Sequence, residues 1–409
     1  MKRKIQLVVL LILILNSTLL IDNCHCQWVK MVNGMGTGKN ITTFAVSGTN
    51  LFAGNSTSEG GVFLSTNNGT SWTFVSSGLN AFVSKLEFSG TNLFAASSGT
   101  GVFLSINNGA NWYSRNSGLT NKDVRSFAVS GTNLFAGTCL GGIYLSINNG
   151  TNWNTVNNGL TNLYISSLVV SGTDVIAGTN GGVFISPTNG SNWYPINNGL
   201  TQSYITSLAA SGTNLYAGTP FGLFLSTNRG TNWSNIGLAN SSVHSIVVSG
   251  SNIFAGTWNG VFLSTNSGTN WSSINQGFNI IPTIFSLQIS NNYIFAGTDT
   301  QSVWRRPLSE IISIQNISTE TPSKYSLSQN YPNPFNSTSN LKFQIVNTGD
   351  VKLIVYDIMG KEVQTLVNER LQPGTYEAAF DASSLNTGVY FYKLITNGFT
   401  ETKKMLLIK

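Results

Sequence analysis

Few side chains in this sequence can do chemistry. Of 409 residues, 21 are Lys or Arg, 15 are Asp or Glu and two are His. Once a processed segment at 1–26 is set aside, His244 is the one histidine and Cys139 the one cysteine. A lone cysteine closes no disulfide within the chain and builds no thiolate metal site, so neither metal nor cofactor is expected. His244 has no evident nucleophile to serve as base, and reads as a hydrogen-bonding loop residue. Nothing near Cys139 in sequence would lower its thiol pKa. Among the acids, Glu59, Asp123 and Asp299 are candidates. Glycoside hydrolysis needs two carboxylates about 5–10 Å apart, and these three come from different parts of the chain. No catalytic residue is assigned. The aromatic residues Phe82, Tyr164, Tyr204, Phe221 and Trp258, with Asp123, Arg125 and His244 as polar fixings, make a set better suited to binding a sugar or a peptide.

The elements that must position these residues follow from composition. Charged residues make up only 9% of the chain while 41% are apolar, which excludes a disordered tail. The vocabulary of surface helices is nearly absent; Asn, Gly, Ser, Thr, Val and Phe are residues of short strands and tight turns. The expected class is all-β. Lys2, Arg3 and Lys4 precede an apolar run at 5–15, with small residues before Gln27, the pattern of a secretory signal over 1–26. Eleven residues, apolar but for Gln6, are too few to span a bilayer. The remaining chain has a net charge of +4, too diffuse for nucleic acid.

A period of about forty residues runs through the next part of the chain. Ser65-Thr66-Asn67-Asn68-Gly69-Thr70-Ser71-Trp72 recurs as boxes ending at Trp112, Trp153, Trp193, Trp233 and Trp271. An apolar-Ala-Gly-Thr motif appears seven times in close variants, from Phe52 to Phe295. Gln27 to Gly34 matches the segment that follows a box, so the seventh unit is expected to be split between 285–306 and the mature N-terminus. Four strands per unit is propeller-blade spacing, and pairing the N-terminal strand into the last unit removes an exposed edge. The expectation is a seven-bladed β-propeller over 27–308, closed by the N-terminal strand. Aligned on the period, the residues that precede and open each first strand share one face with the turns after Ala-Gly-Thr. The position at the start of the first strand reads Thr42, Ser84, Arg125, Ser166, Thr206, His244 and Phe285. Phe82, Asp123, Arg125, Tyr164, Tyr204, Phe221, His244 and Trp258 are the candidate binding residues of that face.

The Ser-x-Asn-x-Gly-x-x-Trp boxes resemble the Asp-box, or BNR, repeat of sialidase-like propellers. What the resemblance implies is a structural role on the face away from any active site, for Trp72, Trp112, Trp153, Trp193, Trp233 and Trp271. Asn or, at position 188, Thr stands where the repeat commonly has Asp, which removes the carboxylate a calcium ion would use. Asn is expected to supply left-handed geometry and a side-chain acceptor, and Gly a positive φ. The resemblance also implies a sialidase clamp of three arginines, but Arg115, Arg229, Arg305 and Arg306 fall elsewhere in the period, leaving Arg125 by itself.

Beyond residue 308 the composition changes. Fourteen of the 282 residues at 27–308 are charged, against eighteen of the 101 that follow. A linker is expected at 309–324, then a small Ig-like β-sandwich at 325–409 with strands near 341–346, 351–357, 375–380, 389–395 and 404–408. Tyr325 to Asn336, Tyr356 to Val363, Pro373 to Tyr376, Gly388 to Tyr392 and Lys404 to Lys409 resemble, in order and spacing, the type A C-terminal sorting domain of type IX secretion. The resemblance implies the type IX secretion machinery as partner of 325–409, and delivery across the outer membrane to the cell surface or the medium. The expected function is an exported binding or interaction protein, with a glycan or a protein as its unidentified ligand. A glycoside hydrolase and an assembly factor for another surface protein are the alternatives.

Overall fold

The computed structural model describes residues 27–250, 252–311, 314–318, 320–382 and 385–409, so the expected export signal at 1–26 lies outside the described residues. Among these residues, seven four-stranded antiparallel sheets lie between Val29 and Pro307. Six follow chain order, as in Ile41–Ser47, Asn50–Asn55, Val62–Ser65 and Thr73–Phe74. In the other, Val29–Lys30 pairs with Val303–Pro307, beside Tyr293–Thr298 and Ile284–Ser290.

Local chemistry explains each hairpin. Ser47 pairs with Asn50 across a two-residue turn, and Gly48 sits at φ +58. Glycine at the first central position is what a type II′ turn requires. The last hairpin, between Ser290 and Tyr293, uses Asn291 and Asn292 instead, at φ 47 and 62; two positive angles make it the type I′ turn that Asn tolerates. Along the second strand, Phe52, Phe94, Phe135 and Phe254 are fully buried. The glycine after Ala lets the next sheet approach closely: a Cβ on Gly137 would stand 2.5 Å from Ile165 Cγ2.

The boxes hold the outer turns as expected, with one division of labour moved. Ser65 Oγ accepts from the Gly69 amide (2.8 Å), and Asn67 Oδ1 accepts from the Ser71 amide (2.9 Å). Thr188 Oγ1 does the same for the Asn192 amide at 3.1 Å. The left-handed residue is the following one, Asn68, Asn108, Asn149, Asn189, Arg229 or Ser267, because the box side chain must fold back over the turn. Five of the six box tryptophans are buried and Trp271 is partly so; each donates its indole N–H to a carbonyl of the preceding sheet, such as Trp112 to Val75 (2.8 Å) and Trp193 to Val156 (2.7 Å). Trp72, Trp153, Trp233 and Trp271 repeat the bond on Met31, Arg115, Ile196 and Ile236. Trp28, outside any box, bonds Ile274 O at 2.6 Å and stacks on Phe278.

The C-terminal part is two four-stranded antiparallel sheets sharing one apolar core. One contains Ile314–Ser318, Gly374–Asp381, Thr338–Ile345 and Ser326–Leu327; the other Glu362–Leu371, Gly349–Tyr356, Gly388–Thr396 and Phe399–Leu407. Two strands depart from expectation. Ile314–Ser318 lies within the expected linker yet pairs with Gly374–Asp381. Glu362–Leu371, not among the expected strands, is an edge strand whose register breaks at two points against Gly349–Tyr356. The segment at 325–336 acts as a clasp. Tyr325 stacks on Phe399, buried Phe335 exchanges backbone bonds with Leu406 and Ile408, and Tyr392 Oη donates to Ser328 O.

Candidate functional site

The aligned positions are β-bulges. Ile41 pairs with Asn55 and Thr43 with Gly54, which leaves Thr42 as the extra residue. The same skip falls on Ser84, Arg125, Ser166, His244 and Phe285. A bulge re-aims a side chain out of the pleat. Here all of these side chains, with Thr206, line one cavity of about 290 Å3 bounded by the first strands of all seven sheets. A wider cavity of about 380 Å3 adjoins it, sharing six of these residues and adding Phe82, Tyr164, Ser56 and Ser98.

Three of the bulge side chains, and Thr206, are spent on the scaffold. The hydroxyls of Thr42, Ser84 and Ser166 donate to Val83 O, Val124 O and Ile205 O at 2.5, 2.6 and 2.5 Å, and Thr206 donates to Val243 O. Each bond ties one first strand to the next. A second row, at the following position, accepts from backbone: Leu86, Leu208 and Leu287 amides donate to Thr43, Ser167 and Ser245. Arg125, His244 and Phe285 break the first row, and Lys85 breaks the second.

Arg125 meets Asp123 twice, with Nη2 to Oδ2 at 2.9 Å and Nε to Oδ1 at 2.7 Å. That hydrogen bond holds the guanidinium above its ordinary pKa. The Asp123 loop is fixed in turn: Asn121 accepts from the Asp123 amide and donates to Cys139 O. Burial, and then the Asp123 charge, pushes the Cys139 thiol up, so it is no thiolate nucleophile. Burial likewise raises the Tyr164 phenol against the pull of Arg125. Burial lowers His244, whose ring lies edge-on to Phe285 at 6.4 Å, and the neutral imidazole is therefore favoured. Lys85 lines the inner cavity 4.0 Å from Glu87, whose carboxyl burial pushes up.

Of the candidate binding residues, the structure brings together Phe82, Arg125, Tyr164 and His244, with Asp123 on Arg125. Tyr204 is 43% exposed and within electrostatic reach of Tyr164. Phe221 and Trp258, more than half exposed, line neither cavity. Phe285, Ser98 and Lys85 line the cavities without being among the candidate binding residues. Lys85 had a signal, as the one break in a row otherwise reading Thr43, Ser126, Ser167, Ser207, Ser245 and Ser286.

The other charges are bound elsewhere. Glu59 pairs with Lys39, and Asp299 Oδ1 accepts from the Thr283 amide at 2.9 Å. Arg229, in its box, meets buried Asp174 of the neighbouring sheet. Arg305 donates to Asn68 O and lies over the Tyr293 ring at 4.4 Å, while Arg306 is buried beside Glu310. Among the described residues, no carboxylate lines either cavity, and Arg125 is the one arginine that does. The arrangement offers stacking faces, fixed hydroxyls and one neutralised guanidinium.

Residues 329–409 match the secretion system C-terminal sorting domain. No curated protein matches the chain. Among solved structures, the extracellular domain of the two-component system BT4673 from B. thetaiotaomicron is similar at TM-score 0.57 and 18% identity, over 78% of this chain and 46% of that one. PorZ, an essential bacterial surface component of the type-IX secretion system of Porphyromonas gingivalis, is similar at TM-score 0.55 and 14% identity, over 90% and 59%. A GH74 xyloglucanase from Xanthomonas campestris is similar at TM-score 0.54 and 14% identity, over 77% and 59%. The chain thus spans about half the length of the solved structures it matches first, and at these identities the likeness is one of fold. Residues 329–409 form a type IX secretion sorting domain joined to a propeller-like all-β array, and the protein is exported to the cell surface or secreted.

Proposed function

We propose that this is an exported recognition protein, in which residues 27–308 form a seven-bladed propeller closed by the N-terminal strand. Segment 325–409 engages the type IX secretion machinery, with 309–324 leading into it, and the exported chain acts at the outer-membrane surface or in the medium. The propeller is a non-catalytic scaffold that binds a glycan or a protein through Phe82, Asp123, Arg125, Tyr164, Tyr204 and His244, with Phe221 and Trp258 as an outlying rim. One observation carries this reading: of the seven aligned side chains that line a single cavity, four donate to backbone carbonyls of the adjoining sheet and Arg125, His244 and Phe285 do not. In favour of closure, Trp28 uses the indole bond of the box tryptophans on Ile274, and Trp72 uses it on Met31. Hydrolysis needs two carboxylates, and among the described residues none lines either cavity.

The exported chain, labelled and applied to an array of glycans and peptides, tests the reading. Retention of at least one probe is expected, and loss of that signal in Phe82→Ala/Tyr164→Ala. Retention undiminished in the double variant refutes the site, and turnover of a polysaccharide by the unaltered chain refutes the non-catalytic role.

A further inference from the structure

The hydrogen-bonding polarity of the cavity narrows its ligand. A hydroxyl has one proton and two lone pairs. At Thr42, Ser84, Ser166 and Thr206 that proton is committed to a carbonyl of the adjoining sheet. Their oxygens therefore face the cavity as acceptors, fixed by bonds that hold the sheets together. Asp123 lines neither cavity; it holds the Arg125 guanidinium in place at 2.9 and 2.7 Å.

A ligand group that can only accept meets the wrong partners here. A carboxylate, sulfate or phosphate would face a rim of lone pairs. It could claim Arg125 fully only by displacing Asp123, which would leave two anions side by side. A cationic group would meet Arg125 at the mouth and Lys85 behind it. An alcohol satisfies both halves of the site: it donates to the fixed hydroxyl oxygens, and it accepts from the N–H groups of Arg125 not spent on Asp123. Beside these lie Phe82, 47% exposed, and Tyr164, ring faces suited to the C–H side of a pyranose. The volume of about 380 Å3 is at the small end of ligand sites, which run ~300–1,000 Å3.

We infer that the cavity binds a neutral, hydroxyl-rich saccharide through the Arg125–Asp123 pair and the hydroxyl row of Thr42, Ser84, Ser166 and Thr206. The inference rests on the recognition reading above and names its ligand class.

Calorimetric titration of the full exported chain tests it, using neutral oligosaccharides, their sialylated or sulfated counterparts, and short acidic peptides. The unaltered chain is expected to bind a neutral oligosaccharide at least about tenfold more tightly than its acidic counterpart, the equivalent of one hydrogen bond to a charged group. Asp123→Asn should weaken the neutral ligand about tenfold and narrow the discrimination, since Arg125 is then free for an anion. A circular dichroism spectrum and melting temperature of Asp123→Asn matching those of the unaltered chain should show that the variant is folded. Preference for an acidic glycan or a peptide, lost in Tyr164→Ala, overturns the saccharide class and leaves the site standing. Neutral binding unchanged in Asp123→Asn also overturns it. Binding of no probe overturns both this inference and the recognition reading.

Discussion

Trp28 decides whether the N-terminal strand is part of the proposed ring or an appendage to the array. It is 1% exposed, its indole donates to Ile274 O at 2.6 Å, and its ring stacks on Phe278 at 5.2 Å. Truncating a buried Trp or Phe to Ala costs ~3–5 kcal/mol. Ile274 O also receives Arg306 Nη1 at 3.1 Å, so Trp28→Ala leaves no orphaned carbonyl. The lower part of the range applies, about 3–4 kcal/mol. For a domain of this size that is roughly a 10 °C fall in melting temperature. Trp153, 2% exposed and bonded to Arg115 O at 2.8 Å, is the internal reference. Chemical denaturation followed by circular dichroism should place Trp28→Ala and Trp153→Ala within about 1 kcal/mol of each other. Should Trp28→Ala cost less than about 1 kcal/mol while Trp153→Ala costs more than 3, closure through the N-terminus is wrong.

The Arg229–Asp174 pair stands where the repeat elsewhere has Asn or Ser at the first position and, in most sheets, Asn at the second. Arg229→Asn by itself should destabilise by ~1–3 kcal/mol, because Asp174 is left 3% exposed without its cation. Adding Asp174→Asn should recover most of that loss, and a double-mutant cycle measured by denaturation that finds no coupling would refute the pairing. His244 is held below its ordinary 6.5 by burial. The unfolded chain then binds the proton more readily than the native one, so its share of stability is complete above pH 6.5 and is lost as pH falls below that value. Urea midpoints across this range should decline more steeply in the parent than in His244→Asn; equal slopes would show that His244 is not buried.

Much of the fold was legible because its causes are local. The Gly48 turn, the Ser65 to Gly69 bond and the apolar run around Phe52 lie within a few residues of one another, so each copy of the repeat declares its own hairpins. The clasp at 325–336 was legible for the same reason, as a dense local motif. Glu362–Leu371 was not, since a charged edge strand with a broken register carries no alternating pattern. Nor was Ile314–Ser318, a short strand whose pairing with Gly374–Asp381 spans sixty residues of chain.

The site divides along the same line. Sequence alone placed Arg125, His244 and Phe285 in one aligned row with Thr42, Ser84, Ser166 and Thr206, because the period did so. It could not tell which of the seven were available. That was settled by bonds between residues some forty positions apart, such as Ser84 to Val124, which consume four hydroxyl protons. It was settled as well by bulges that turn the row into one cavity while Phe221 and Trp258 stay outside it. Local sequence determines the repeated unit. Which of its variable side chains meet, and with which hydrogen-bonding polarity, depends on the carbonyl of the neighbouring sheet, and only tertiary structure brings that carbonyl into reach.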